Sequence, residues 1–197
     1  MRLKLRDHFQ TEFLMINIIN SLNTILEESD CLIDAKQIDA ALDKMAEQIT
    51  TDLKYKLPLV ICVMNGGLIP TGALIERLAF PLELDYIHAS RYGMDTEGTA
   101  LKWMSYPQTN IANRDILIVD DIFDQGHTLQ AIIEWFDAHG ANRVFTATIS
   151  NKLHDRKVDI IPNYIGLDVA DRFLFGFGMD YKGAFRNIKG IYALKGS

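Results

Sequence analysis

The chain has 197 residues, 48% hydrophobic and 23% charged, a balance that supplies a globular core and sets aside disordered and fibrous classes. A net charge of −6 and a pI near 5.3 argue against non-specific nucleic-acid or membrane-surface binding, which favours a basic face. Two cysteines without metal-type spacing, no signal peptide and no apolar run near the ~18 residues of a membrane span point to a cytoplasmic chain.

Residues 9–28 mix apolar and polar positions and predict a helix. Asp34 opens a second helix, with Gln37 as its capping partner and a core-facing stripe of Ile38, Leu42, Met45 and Ile49. The apolar run 59–64 predicts a buried strand that ends at Gly66-Gly67, and a helix is expected over 68–80. A strand follows at about 82–90, then a loop over 91–101 and a short strand at 102–106. Residues 116–120 repeat the buried-strand pattern. A helix is predicted over 127–139, with its stripe on Leu129, Ile132, Ile133 and Phe136 and its stop at Gly140. Strands at 144–150 and 164–169 complete the set. Apolar strands alternating with helices define an α/β protein, with a mainly parallel sheet covered on both faces. Such folds bind ligands at the carboxyl ends of their strands.

The strongest chemical signal sits at such an end, in Asp120-Asp121-Ile122-Phe123-Asp124-Gln125-Gly126-His127-Thr128. Backbone amides at a helix start, with a glycine permitting close approach, make an anion site, and Thr128 adds a hydroxyl donor. Three carboxylates just upstream cannot hold a phosphate, but they suit sugar hydroxyls, Mg²⁺ or a proton. A phosphorylated sugar with a metal satisfies every part. Neither a P-loop nor a GxGxxG motif is present.

The segment VDDIFDQGHTL resembles the signature of type I phosphoribosyltransferases. From about residue 34 to 190 the chain is similar to the bacterial hypoxanthine-guanine phosphoribosyltransferases of purine salvage. The resemblance implies a Rossmann-like domain over 1–197, with a core at about 35–168 and a small hood from about 1–34 and 169–197. It implies transfer of 5-phosphoribose from phosphoribosyl pyrophosphate (PRPP) to hypoxanthine or guanine, giving IMP or GMP and pyrophosphate, with Mg²⁺. By the same resemblance Asp120 and Asp121 meet the ribose hydroxyls directly or through metal, and Asp124 sits by the purine N7 as general base. Residues 124–128 (Asp124, Gln125, Gly126, His127 and Thr128) wrap the 5′-phosphate. Lys152 donates to the purine 6-oxo group, Phe173 stacks on the ring and Leu174 offers backbone to its edge. Asp180 holds a second Mg²⁺, and Arg186 contacts pyrophosphate.

Three positions depart from the family pattern. Asn65, beside Gly66, replaces a lysine in the pyrophosphate loop, where the family tends to place a cis peptide. Arg91-Tyr92 stands where many members have Ser-Tyr at the start of a mobile lid, so Arg91 is a candidate pyrophosphate donor. His127 replaces a lysine or arginine beside the phosphate. His8, His88, His139 and His154 form no metal-ligand pattern and are assigned surface or core roles. A homodimer or homotetramer is expected from the apolar segments near 66–80. Two other readings stand beside this one: a non-catalytic PRPP- or nucleotide-binding regulator on the same fold, and a xanthine- or guanine-preferring relative.

Overall fold

A computed structural model describes residues 2–91 and 101–196, and side chains from residue 14 onward except those of 90, 91 and 101. Helix α1 spans Arg2–Glu28, starting earlier than its sequence pattern indicates. Strand β1, Asp30–Asp34, then leads into helix α2, Ala35–Leu53. Asp34 caps α2 with the expected reciprocal bonds: its carboxylate accepts from the Gln37 amide at 2.9 Å, and the Gln37 side chain accepts from the Asp34 amide at 2.9 Å. The expected stripe of Ile38, Leu42, Met45 and Ile49 is buried. Each such side chain contributes roughly 1.5–3 kcal/mol of transfer free energy.

Strand β2, Leu59–Met64, is buried along almost its whole length, as its unbroken apolar run requires. Helix α3, Leu68–Ile75, is shorter than the sequence indicates. Beyond its end Arg77 donates to the Ala73 carbonyl at 2.8 Å and pairs with Asp39 at 2.6 Å and Asp43 at 2.7 Å on α2. That guanidinium satisfies a terminal carbonyl, so the chain can leave the helix before Pro81.

Strands β3 (Glu83–Arg91), β4 (Leu101–Ser105) and β5 (Asp115–Phe123) follow, then helix α4 (His127–Ala138), β6 (Arg143–Leu153) and β7 (Tyr164–Ala170). They form one six-stranded sheet in the order β4-β3-β2-β5-β6-β7, parallel except for the edge strand β4. One apolar core lies between the sheet and α2 and α3, and a second lies under α4, with Phe136 and Ile132 fully buried. The Tyr164 hydroxyl donates to Asp52 at 2.8 Å and ties β7 to the end of α2.

A second sheet joins the two ends of the sequence. Strand β9 (Gly190–Ala193) lies between β1 and β8 (Leu174–Phe175), antiparallel to both. Arg172 reinforces it with a 2.8 Å bond to Asp30. In the large sheet the strand order reverses between β2 and β5, and a crevice opens at such a reversal.

Candidate active site

The carboxyl ends of β2, β3 and β5 surround a cleft of about 440 Å³. Its walls include Asn65 and Gly66 after β2, His88 and Ala89 on β3, the whole stretch from Asp120 to Leu129, and Arg186 from the terminal segment. Residues 66 and 121, 55 apart in sequence, meet so closely that a Cβ on Gly66 would stand 2.1 Å from the Asp121 carboxylate. A side chain there would force the Asp121 carboxylate to move. The Met64–Asn65 peptide is cis, as the family resemblance implies.

At the other wall Gly126 takes φ +84°, the left-handed region that favours glycine. Its missing Cβ also leaves space for the Phe123 ring, which would otherwise lie 2.4 Å away. Gly126 is the N-cap of α4, and no side chain caps that helix. The amides of a first helical turn have no partner inside the helix, so this start offers donors to an anion. Gln125, His127 and Thr128 line the cleft beside it.

Beneath lie Asp120 and Asp121. Burial, then the neighbouring Asp121 charge, raises the Asp120 carboxyl well above the usual carboxylate range. Burial also raises the Asp121 carboxyl, against a hydrogen bond from Asp120 and the charge of Arg186. Two carboxylates forced together in a cleft form an oxygen donor set that a hard divalent cation would relieve. Among the described residues no group of three His, Cys, Asp or Glu is arranged to hold a metal. A two-carboxylate set would suit Mg²⁺, which commonly completes its shell with water and substrate phosphates.

Asp124 sits at the turn between β5 and α4. One oxygen lies 3.0 Å from the Lys152 ammonium, and the other lies 2.6 Å from the His154 Nε2. Burial pulls the Asp124 carboxyl upward, but hydrogen bonds from His154 and Lys152 outweigh it and hold the carboxyl below its ordinary value. Lys152, near the end of β6, also lies 3.9 Å from Asp171. Asp171 pairs with Arg156 at 2.8 Å.

The remaining expected residues lie in the terminal segment. Asp180 and Arg186 are paired with each other, and Asp180 also accepts from the Gly183 amide at 2.7 Å. Arg186 reaches back to the Gly178 carbonyl at 2.7 Å. Phe173 is 49% exposed and meets Tyr181 edge-on at 5.9 Å. Leu174 is buried on β8. Residues 92–100 and the Arg91 side chain, where the lid is expected, lie outside the described residues.

Sequence reasoning missed His154 and His88. His154 follows Lys152 by two positions, one residue past the end of β6, and both side chains reach Asp124. The two-residue spacing from Lys152 was the available signal. His88 was legible only as a residue near a strand's carboxyl end.

The cleft, the uncapped helix start on its wall and the acidic pair below it suit a phosphorylated ligand carrying hydroxyls or metal. Comparisons with known proteins agree. Residues 30–182 match the phosphoribosyl transferase domain. The chain is 33% identical over 165 residues to the hypoxanthine-guanine phosphoribosyltransferase of Bacillus subtilis, covering 83% of this chain and 92% of that one. The Streptococcus mutans enzyme of the same name is 31% identical over 177 residues, covering 89% and 94%. A crystal structure of a hypoxanthine phosphoribosyltransferase from Staphylococcus aureus superposes with a TM-score of 0.82 at 28% identity, covering 87% of this chain and 95% of that one. The chain belongs to the phosphoribosyltransferase family, and among its members it stands with the hypoxanthine-guanine enzymes.

Proposed function

We propose that this enzyme transfers 5-phosphoribose from PRPP to hypoxanthine or guanine, releasing pyrophosphate and forming IMP or GMP. The observation that carries the reading is the joining of Asp124 to Lys152 beside the helix-start anion site. The 5′-phosphate binds the amides of 124–128 and the Thr128 hydroxyl. Asp120 and Asp121 take the ribose hydroxyls and would hold Mg²⁺. When bound, Mg²⁺ stabilises the charge that develops on the leaving pyrophosphate. Asn65 and Gly66 present backbone to that group, while Arg91 and Arg186 supply cationic donors. Asp180 is the candidate carboxylate for a second Mg²⁺.

On the acceptor side Lys152 donates to the 6-oxo group. An ammonium has no acceptor, so it favours a 6-oxopurine over a 6-aminopurine. Phe173 stacks on the purine, and the Leu174 backbone reads its edge. Asp124 accepts the proton that the purine sheds as the new bond forms, a contribution of typically ~10²–10⁴-fold. The two free cysteines, Cys31 and Cys62, favour a reducing, cytoplasmic setting. Among the described residues no helix is long and apolar enough to cross a membrane. Exposed Leu68 and Ile69 on α3, with Leu84 and Tyr86 on β3, favour a homodimer or homotetramer. The whole chain is expected to work as one domain, with the terminal sheet as its hood.

The test is direct: incubate the protein with PRPP, Mg²⁺ and each free base, and follow nucleotide formation. Turnover is expected with hypoxanthine or guanine. Absence of turnover with every 6-oxopurine, or turnover with xanthine alone, overturns the reading.

A further inference from the structure

We propose that His154 is a positioning residue that holds Asp124 through one oxygen and leaves the other for the purine proton. This rests on the reading of Asp124 as the general base. His154 is outside the set of residues that the family resemblance marks.

The geometry fixes the direction of the contact. The Arg156 backbone amide lies 3.2 Å from His154 Nδ1 and can only donate, so Nδ1 accepts. The ring hydrogen then belongs on Nε2, which donates to Asp124 Oδ1 at 2.6 Å. The imidazole is 4% exposed, so packing and two hydrogen bonds fix its orientation. Asp124 is 44% exposed and sits at a turn, where a carboxylate without such a partner rotates freely.

The other oxygen faces a different kind of partner. Lys152 Nζ holds Asp124 Oδ2 at 3.0 Å. In the proposed reaction Lys152 moves its donor to the purine 6-oxo group. Oδ2 is then uncovered, while Oδ1 stays on His154. The purine N–H bond breaks, the hydrogen passes to Oδ2, and the bonding electrons remain on the base. His154 gains and loses no proton. The charged groups around this centre are Lys152 and His154 in contact, Asp171 behind Lys152, and Arg156 paired to Asp171. Asp155 lies next to His154 in sequence, and Lys157 is turned away onto the Asn151 side chain and the Phe123 ring.

The test compares His154→Ala, His154→Asn and His154→Gln by steady-state kinetics over pH. The Gln amide nitrogen reaches the place of Nε2, whereas the Asn amide stops short of it. His154→Ala and His154→Asn are expected to lower kcat about ten- to a hundredfold, the scale of a lost hydrogen bond to a charged group, with KM for PRPP little changed. The acid limb of kcat should move up by about one pH unit, because the donor that holds the carboxyl down is gone. His154→Gln should restore most of kcat and return the limb. Melting curves identify folded variants, and should His154→Ala not fold, His154→Asn makes the same comparison. Unchanged kcat and an unmoved limb in both short variants overturn the proposal. So does equal loss in Asn and Gln. Asp124→Asn, run alongside, separates the two levels: if it keeps full turnover, the general-base reading falls and this one with it.

Discussion

The two sides of the cleft are built differently. On the proposed donor side, the part that takes the ribose phosphate comes from one run of sequence, Asp120 to Thr128, at the end of a buried strand in the middle of the sheet. The proposed acceptor side is assembled from Lys152 at the end of β6, His154 just past it, and Phe173 and Leu174 around β8. The first sits at the end of a core strand, whereas the second combines ion pairs with a three-stranded sheet whose Leu174, Ile191 and Ala193 join that same core. A contiguous, core-anchored loop leaves a sequence signature. A dispersed, pair-anchored wall leaves isolated residues whose meaning depends on the fold.

Mutations should separate these two sides. The largest effect is expected from Asp124→Asn, which removes the proton acceptor shared by both. Turnover should fall ~10²–10⁴-fold while PRPP binding holds, and equal losses in both would move Asp124 to the donor side alone. Lys152→Gln should act on the acceptor side only, raising KM for the purine about ten- to a hundredfold with PRPP affinity retained. It should also shift the acid limb of kcat/KM. Asp124 is held below its ordinary value partly by Lys152, so losing that donor moves the limb to higher pH. A limb that stays in place would show that His154 alone sets the basicity.

Gly126→Ala should act on the donor side and on folding together. A side chain at φ +84° costs ~1–2 kcal/mol, and the Cβ also meets Phe123. The melting temperature should fall by several degrees and KM for PRPP should rise, measured by thermal denaturation and kinetics. A melting temperature that holds would mean the loop adapts. The smallest effect belongs to Asp34→Ala, which removes the cap of α2 far from the cleft. About 1 kcal/mol of stability should be lost, roughly 2–4 °C, with kinetics at 25 °C unchanged. Altered kinetics would show that α2 transmits to the site.

Much of the large sheet was legible because buried parallel strands read as unbroken apolar runs, seen at 59–64 and 116–120. Helix stripes on α2 and α4 were equally plain. The terminal sheet was not legible. Its strands β8 and β9 have two and four residues, too short for periodicity, and β1 pairs with a strand 160 residues away. The end of α3 was misjudged because Arg77 closes it through contacts to another helix. In the site, Asp120 to Thr128 stood out through spacing and position, and the structure brings them to the cleft wall. His154 did not, because a lone histidine gains meaning only from what folding places 2.6 Å away.

The position of β9 between β1 and β8 has a consequence for how the protein is made. On the ribosome, β2 through β7 emerge first and can form the large sheet while residues 190–193 are still inside the tunnel. Neither β1 nor β8 has a neighbour in its sheet until that four-residue strand arrives. Leu174 sits directly opposite Ala193 in this pairing. A nascent chain stalled before β9 therefore lacks the strand that seats Leu174, and with it the Ile191 and Ala193 side chains that pack into the core over α2. Completion of that core is a late event of synthesis, and a product terminated before β9 should be unstable and leave free bases untouched.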